Sequence, residues 1–170
     1  MNFPAVLKPA RHSSSFAVVV VDGEEQLERS LDSWAYRSTG YLVQELVPGK
    51  TEYASHCVCK RGRVLWTLTY RMEMGATVIR TSSNFRKRDR IETPPATVRQ
   101  LERVLAPLDY SGICHVDYKV TPDGGLRIFE INPEIGAPLV SSECLDDLAE
   151  ASLVSSPTLS RRTAANASGC

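Results

Sequence analysis

Two carboxylates, Asp117 and Glu130, the amide of Asn132 and the imidazole of His115 fall together in the stretch HVDYKVTPDGGLRIFEIN, His115 to Asn132. Pro122-Asp123-Gly124-Gly125 at its centre is a hairpin signal, because Asp-Gly tolerates the positive φ angles of a two-residue type I′ turn. With Asp123 and Gly124 central, Asp117 faces Glu130 and His115 faces Asn132; moving the turn by one residue keeps the parity. Either register predicts Asp117, Glu130 and Asn132 on one face, with Val116, Tyr118, Phe129 and Ile131 on the other. Two carboxylates directly opposed across a strand pair repel. A hard divalent cation such as Mg²⁺, which takes oxygen ligands, would relieve that repulsion. Water with Lys119 as counter-ion would relieve it too, and charged faces more often simply meet water. The hairpin alone leaves both readings open.

The elements around the hairpin decide what it serves. FPAVLK reads as a buried strand that Pro9 stops, ARHSSS as a loop, and FAVVVV (Phe16 to Val21) as a second strand. Asp22 and Glu25 predict an N-cap and capping box for a helix that buries Leu27, Leu31 and Trp34 and ends before Gly40. YLVQELV is a third strand, stopped at Pro48-Gly49. EYASHCVCK and RVLWTLTYRM, separated by Arg61-Gly62, predict a second hairpin. Met74 to Glu92 lacks apolar periodicity and reads as a mobile loop. PPATVRQLERVLAPL predicts a helix opened by proline, with Val98, Leu101, Val104, Leu105 and Leu108 on its apolar stripe. A last helix is expected from Pro138 to about Val154, and residues 155–170 read as a disordered tail. Strands mostly joined as hairpins, with helices interposed, give an α+β class.

Composition narrows the function. The chain has 170 residues, with 20 basic and 20 acidic side chains and a formal charge of zero. That balance gives no reason to expect nucleic acid or a membrane surface as partner. The longest strongly apolar run is strand-sized, and no signal-peptide pattern opens the chain, so a cytoplasmic location is the expectation. Five scattered cysteines form no disulfide framework. His56-Cys57-Val58-Cys59 invites a zinc site, but alternation puts Cys57 opposite His56 and no second ligand pair follows. Gly49-Lys50-Thr51 imitates the end of a P-loop, yet Gln44 stands where that motif needs glycine.

A wider pattern orders these fragments. A strand ending in VLKP, a serine-rich loop and a further strand are followed by VQELVPGKTE and then by DYKVTPDGGLRIFEINP. In that order they resemble the ATP-grasp family of carboxylate–amine ligases and carbamoyl-phosphate or biotin-carboxylase-type enzymes, and they reverse the balance toward a metal site. The resemblance implies two small subdomains of mostly antiparallel sheet with packed helices, residues 1–48 and 49–154. It implies that Lys8 contacts the α- and β-phosphates of ATP and that Ser13, Ser14 and Ser15 lie in a phosphate-covering loop. Gln44, Glu45, Leu46 and Val47 match the hinge that reads adenine, and Glu52 matches the acceptor for ribose hydroxyls. Asp117, Glu130 and Asn132 match the ligands of two Mg²⁺ ions, with Mn²⁺ as an alternative ion. Arg80 and His115 are the cations assigned to the γ-phosphate or an acceptor carboxylate, His115 because it shares the face of Asp117.

The implied reaction activates a small carboxylate as an acylphosphate, which an amine or another nucleophile then takes. Two features depart from the family pattern: no glycine stands between Lys8 and Val21, and Glu134 follows EINP where an arginine is common. A preceding N-terminal domain, supplied by the same chain or a partner, is expected to complete the acceptor site, and a homodimer is compatible with these features. A nucleotide-binding module without ligase activity is the alternative function, and an α+β interaction domain without nucleotide is the third.

Overall fold

The apolar segments AVLKP, VVV and YLVQE become β1 (Ala5–Pro9), β2 (Val19–Val21) and β3 (Tyr41–Glu45), an antiparallel sheet in the order β2-β1-β3. A computed structural model describes residues 2–10, 18–32, 40–75, 85–136 and 148–152. The chain divides into two units, Met1–Lys50 with Met74–Arg86, and Thr51–Glu73 with Lys87–Cys170. None of the described helices is long and apolar enough to cross a membrane.

In the first unit, helix α1 (Glu24–Leu31) lays Leu27 and Leu31 against Ala5, Leu7 and Val21, which are fully buried. Its start differs from the expected capping box. Gly23, not Asp22, occupies the N-cap, and the reciprocal bond comes from Gln26, whose Oε1 accepts the Asp22 N–H at 2.8 Å. Gln26 is the third helical residue, the position from which a side chain reaches back over the first turn. Trp34 lies outside the described residues.

The second unit is a five-stranded sheet in the order β6-β5-β4-β7-β8. β4 (Thr51–Lys60) and β5 (Arg63–Met74) form the expected central hairpin, and β7 (Gly112–Val120) and β8 (Leu126–Asn132) the expected last one. β6 (Phe85–Ile91) corrects the reading of Met74–Glu92 as a loop. The strand lies at the sheet edge, where charged side chains are favoured and apolar periodicity is not needed. Asp89 there accepts from Arg71 and Lys87, each at 2.9 Å, and the Arg88 guanidinium stands 5.0 Å above the Tyr70 ring.

Helix α2 (Pro95–Leu105), followed by a 3₁₀ turn (Ala106–Leu108), packs on one face of this sheet. Thr97, Leu101 and Leu105 are its buried stripe, whereas Val104 and Leu108 are exposed, because Pro107 ends the α-helical winding that would have brought Leu108 inward. Leu101 and Leu105 join Cys57, Cys59, Cys114, Val116 and Tyr118 in the core. Two side chains tie the helix to the strands: Gln100 donates to Gly124 O and accepts from Leu126 N–H, and Glu102 accepts from Val64 N–H. A buried hydroxyl chain runs from Tyr118 through Ser55 and Thr69 to Thr93, with separations of 3.0, 2.6 and 2.7 Å. Residues 148–152 are helical and place Leu148 on Val58 and Leu68, on the other face; the rest of the expected last helix, and the tail, lie outside the described residues.

Both residues of the β4–β5 turn, Arg61 and Gly62, have positive φ, as a type I′ turn requires. Gly62 also abuts the 3₁₀ turn, so that a Cβ there would lie 2.2 Å from Ala106 Cα. Gly124, at φ +81°, has open space around it. Gly124→Ala should therefore cost about 1 kcal/mol, the left-handed penalty alone. Gly62→Ala should cost clearly more, read as a larger fall in the urea midpoint; equal losses would contradict the close packing of the turn.

Candidate metal and nucleotide site

Alternation along β4 and β7 sorts their side chains between the two faces. Tyr53, Cys57 and Cys59 of β4, with Cys114, Val116 and Tyr118 of β7, face the α2 core. Glu52, Ala54 and His56, with His115, Asp117 and Lys119, belong to the opposite face. Across β4 and β7, Ala54 pairs with Asp117 and His56 with His115. The small Ala54 leaves room beside the carboxylate.

The β7–β8 register places Asp117 opposite Glu130 and His115 opposite Asn132, as the spacing predicts. Nearer the turn the register slips by one, Tyr118 pairing with Ile128. The turn is therefore not the two-residue type I′ form. Thr121 and Gly125 close a three-residue loop, with the Thr121 N–H donating to Gly125 O at 2.9 Å and Gly124 alone left-handed. The slip falls at Phe129 and changes its expected place on the apolar face. Its ring centroid lies 5.9 Å from Lys119 Nζ, while Ile128 takes the core position beside Tyr118. A bulge of this kind re-aims side chains where two strands meet a site.

One donor atom each from His115, Asp117 and Glu130 lie within 4.8 Å of one another, a cluster that can hold a metal ion. Asp117 is 3% exposed, His115 half-buried and Glu130 exposed, so the group is open on one side. Asn132 Nδ2 lies 2.9 Å from His115 Nε2 and donates at 2.9 Å to Glu130 Oε1. His115 Nδ1 is 3.4 Å from the Glu134 carbonyl oxygen. The donor set of two carboxylates and an amide oxygen, once the Asn132 amide turns its oxygen inward, suits a hard divalent ion.

Lys119 does not serve as the solvated counter-ion of this face. It is 3% exposed; burial pushes its ammonium below the usual lysine range, and Glu52 partly opposes that shift. Glu52 itself is 6% exposed, in β4 opposite Met72. Burial of Asp117, Lys119 and Glu52 on one face is not the pattern of charges that only meet water.

The remaining expected residues divide between the units. Lys8 is half-buried in β1 opposite Leu42, and Gln44 and Glu45 of β3 stand opposite Val6 and Ala5. Leu46 and Val47 follow β3 directly and are half-buried. Ser13, Ser14, Ser15 and Arg80 lie outside the described residues. Cys57 and Cys59 pack away from His56, which removes the zinc reading. Hydrogen bonding to Cys114 and burial push the Cys57 thiol up, and the Cys59 thiol to about 12.

Sequence reasoning weighed His56 only as a zinc ligand and passed over Gly136. His56 is 1% exposed, tilted 40° to the His115 ring at 5.6 Å and edge-on to Tyr70 at 5.8 Å. A Cβ on Gly136 would lie 2.4 Å from His56 Cε1 and 3.3 Å from His115 Nδ1. Strand alternation from His115 through the β4–β7 pairing was the signal that could have found His56.

Comparison with solved structures bears on the fold. The chain superposes on D-alanine–D-alanine ligase from Helicobacter pylori with a TM-score of 0.59 and 23% identity, over 92% of this chain and 50% of that one. L-amino acid ligase from Bacillus licheniformis matches with a TM-score of 0.55 and 21% identity, over 83% and 34%. An ADP complex of N5-carboxyaminoimidazole ribonucleotide synthetase matches with a TM-score of 0.55 and 18% identity, over 79% and 36%. The chain has the ATP-grasp fold. No protein-family model and no curated protein sequence matches it. The chain spans a third to a half of the length of these ATP-grasp structures.

The buried ammonium gives a signed pH test. Because the folded state lowers the Lys119 pKa from 10.5, the unfolded chain binds more protons between the folded value and 10.5. Stability contributed by this group therefore rises with pH through that window and is flat below it. Urea titrations of wild type and Lys119→Met across the alkaline range should diverge in this direction; parallel curves would show that Lys119 is not desolvated.

Proposed function

We propose that this chain is the Mg-ATP-binding part of an ATP-grasp ligase that activates a carboxylate as an acylphosphate for attack by an amine. The observation that carries the proposal is the convergence of buried Asp117 with Glu130, Asn132 and His115 on one sheet face, within an ATP-grasp fold. Asp117, Glu130 and Asn132 would hold the ions. Held there, they would neutralise negative charge that develops on phosphate oxygens during phosphoryl transfer.

The chain's own residues supply positioning. The Lys8 ammonium would neutralise α- and β-phosphate oxygens, and hydroxyls of Ser13, Ser14 and Ser15 would donate to phosphate. Backbone groups of Gln44 to Val47 would read the adenine edge, with Leu46 and Val47 covering its face. Glu52 would accept the ribose hydroxyls. Arg80 would meet the γ-phosphate or the acceptor carboxylate. Phosphoryl transfer needs little covalent help from protein, so positioning and charge neutralisation suffice. The names L-amino acid ligase and D-alanine–D-alanine ligase make amino acids our choice for the carboxylate and amine partners. A further domain or partner chain would complete that acceptor site.

Titration calorimetry with Mg-ATP tests the nucleotide reading. Wild type should bind, and Glu130→Gln should weaken binding by about tenfold or more, the loss expected when a charge-paired ligand is removed. Absence of binding, or binding indifferent to Glu130→Gln, would overturn it.

A further inference from the structure

The donor cluster is not made of oxygen alone. We propose that His115 supplies an imidazole nitrogen to the divalent ion held by Asp117 and Glu130, so that the site prefers a transition ion such as Mn²⁺ over Mg²⁺. This rests on the reading above that the carboxylate pair binds a divalent cation.

The tautomer follows from the two neighbours of the ring. His115 Nδ1 faces the Glu134 carbonyl oxygen at 3.4 Å, a group that only accepts, so Nδ1 carries the proton. Nε2 then keeps its lone pair, which matches the Asn132 amide nitrogen 2.9 Å away. A ring nitrogen turned to a backbone carbonyl, with the other left free to ligate, is the usual arrangement of a metal-binding histidine. Glu134, whose side chain departs from the family pattern, contributes here through its backbone.

The convergence is specific. Asn132 Nδ2 is 2.9 Å from both His115 Nε2 and Glu130 Oε1, so a nitrogen lone pair and a carboxylate oxygen point at one place. The Asn132 amide N–H faces both acceptors in this structure; with the amide turned, a cation between the three groups satisfies the same two acceptors and takes the Asn132 oxygen as well. The 4.8 Å span of the His115, Asp117 and Glu130 donors compares with about 4.4 Å for two ligands across one ion. Glu130, at the exposed side of the group, is the donor whose movement would close that difference.

The imidazole is also held where it stands. Its ring lies against buried His56, and the chain at Gly136 passes so close that a Cβ would meet both rings. A fixed nitrogen ligand changes selectivity. Mg²⁺ favours oxygen, whereas Mn²⁺, Co²⁺ and later ions accept imidazole with increasing affinity.

The test reads nitrogen directly. Mn²⁺ bound to wild type should show ¹⁴N modulation in pulsed electron paramagnetic resonance, and ¹⁵N-histidine labelling should convert it to the ¹⁵N pattern without any substitution. His115→Gln should abolish the signal and weaken Mn²⁺ binding at least tenfold, while Mg²⁺ binding changes by no more than about twofold. Absence of histidine nitrogen coupling in wild type, with Mn²⁺ binding still lost in Glu130→Gln, would overturn the role of His115 and leave the carboxylate site standing. Failure of both ions to bind would overturn the metal site itself.

Discussion

Asp117 is buried directly opposite a second carboxylate, Glu130, on adjacent strands. Like charges so placed destabilise a sheet, and burial of one raises the cost. The rest of the second unit is arranged around that juxtaposition. Ala54 leaves space beside it, Asn132 donates to one of its oxygens, and His115 stands beside Asp117 with a nitrogen lone pair. Retaining both acids is intelligible when a cation completes the group.

That charge-laden face is held by an apolar one. Each β7 residue that points to the site alternates with one in the α2 core, Cys114, Val116 and Tyr118. Leu101 and Leu105 press on them from the helix, and Gln100 ties the hairpin loop and the start of β8 to it through Gly124 and Leu126. Close-packed interiors transmit small displacements. The position of two carboxylates on one face therefore depends on thiols, aliphatics and a hydroxyl chain on the other. Cys57, Cys59 and Cys114, the buried cysteines among the described residues, are core residues, and their packing explains why they sit close without being ligands.

Much of this was legible in the sequence because strand periodicity and turn chemistry are local. The shared face of Asp117, Glu130 and Asn132 followed from parity; their pairing followed from an assumed two-residue turn, and holds because the bulge offsets the longer loop. The order of motifs implied the ATP-grasp fold that the structure has. Three features were not legible. The bulge at Phe129 depends on a three-residue loop that Pro122-Asp123-Gly124-Gly125 supports as readily as a two-residue one. β6 carries charges because it is an edge strand, a fact of tertiary pairing and not of composition. The burial of Lys119 beside Glu52 joins residues 67 positions apart in sequence, through a β4–β7 pairing that no local pattern announces.

The central claim is that Asp117, Glu130 and Asn132 are the seat of the ion that accompanies ATP. Crystals grown with Mn²⁺ and a non-hydrolysable ATP analogue, measured at the manganese absorption edge, test it most directly. The account predicts an anomalous peak within bonding distance of all three side chains, with the analogue's phosphates against it. Bound nucleotide with no peak there, or with manganese held elsewhere, would contradict it.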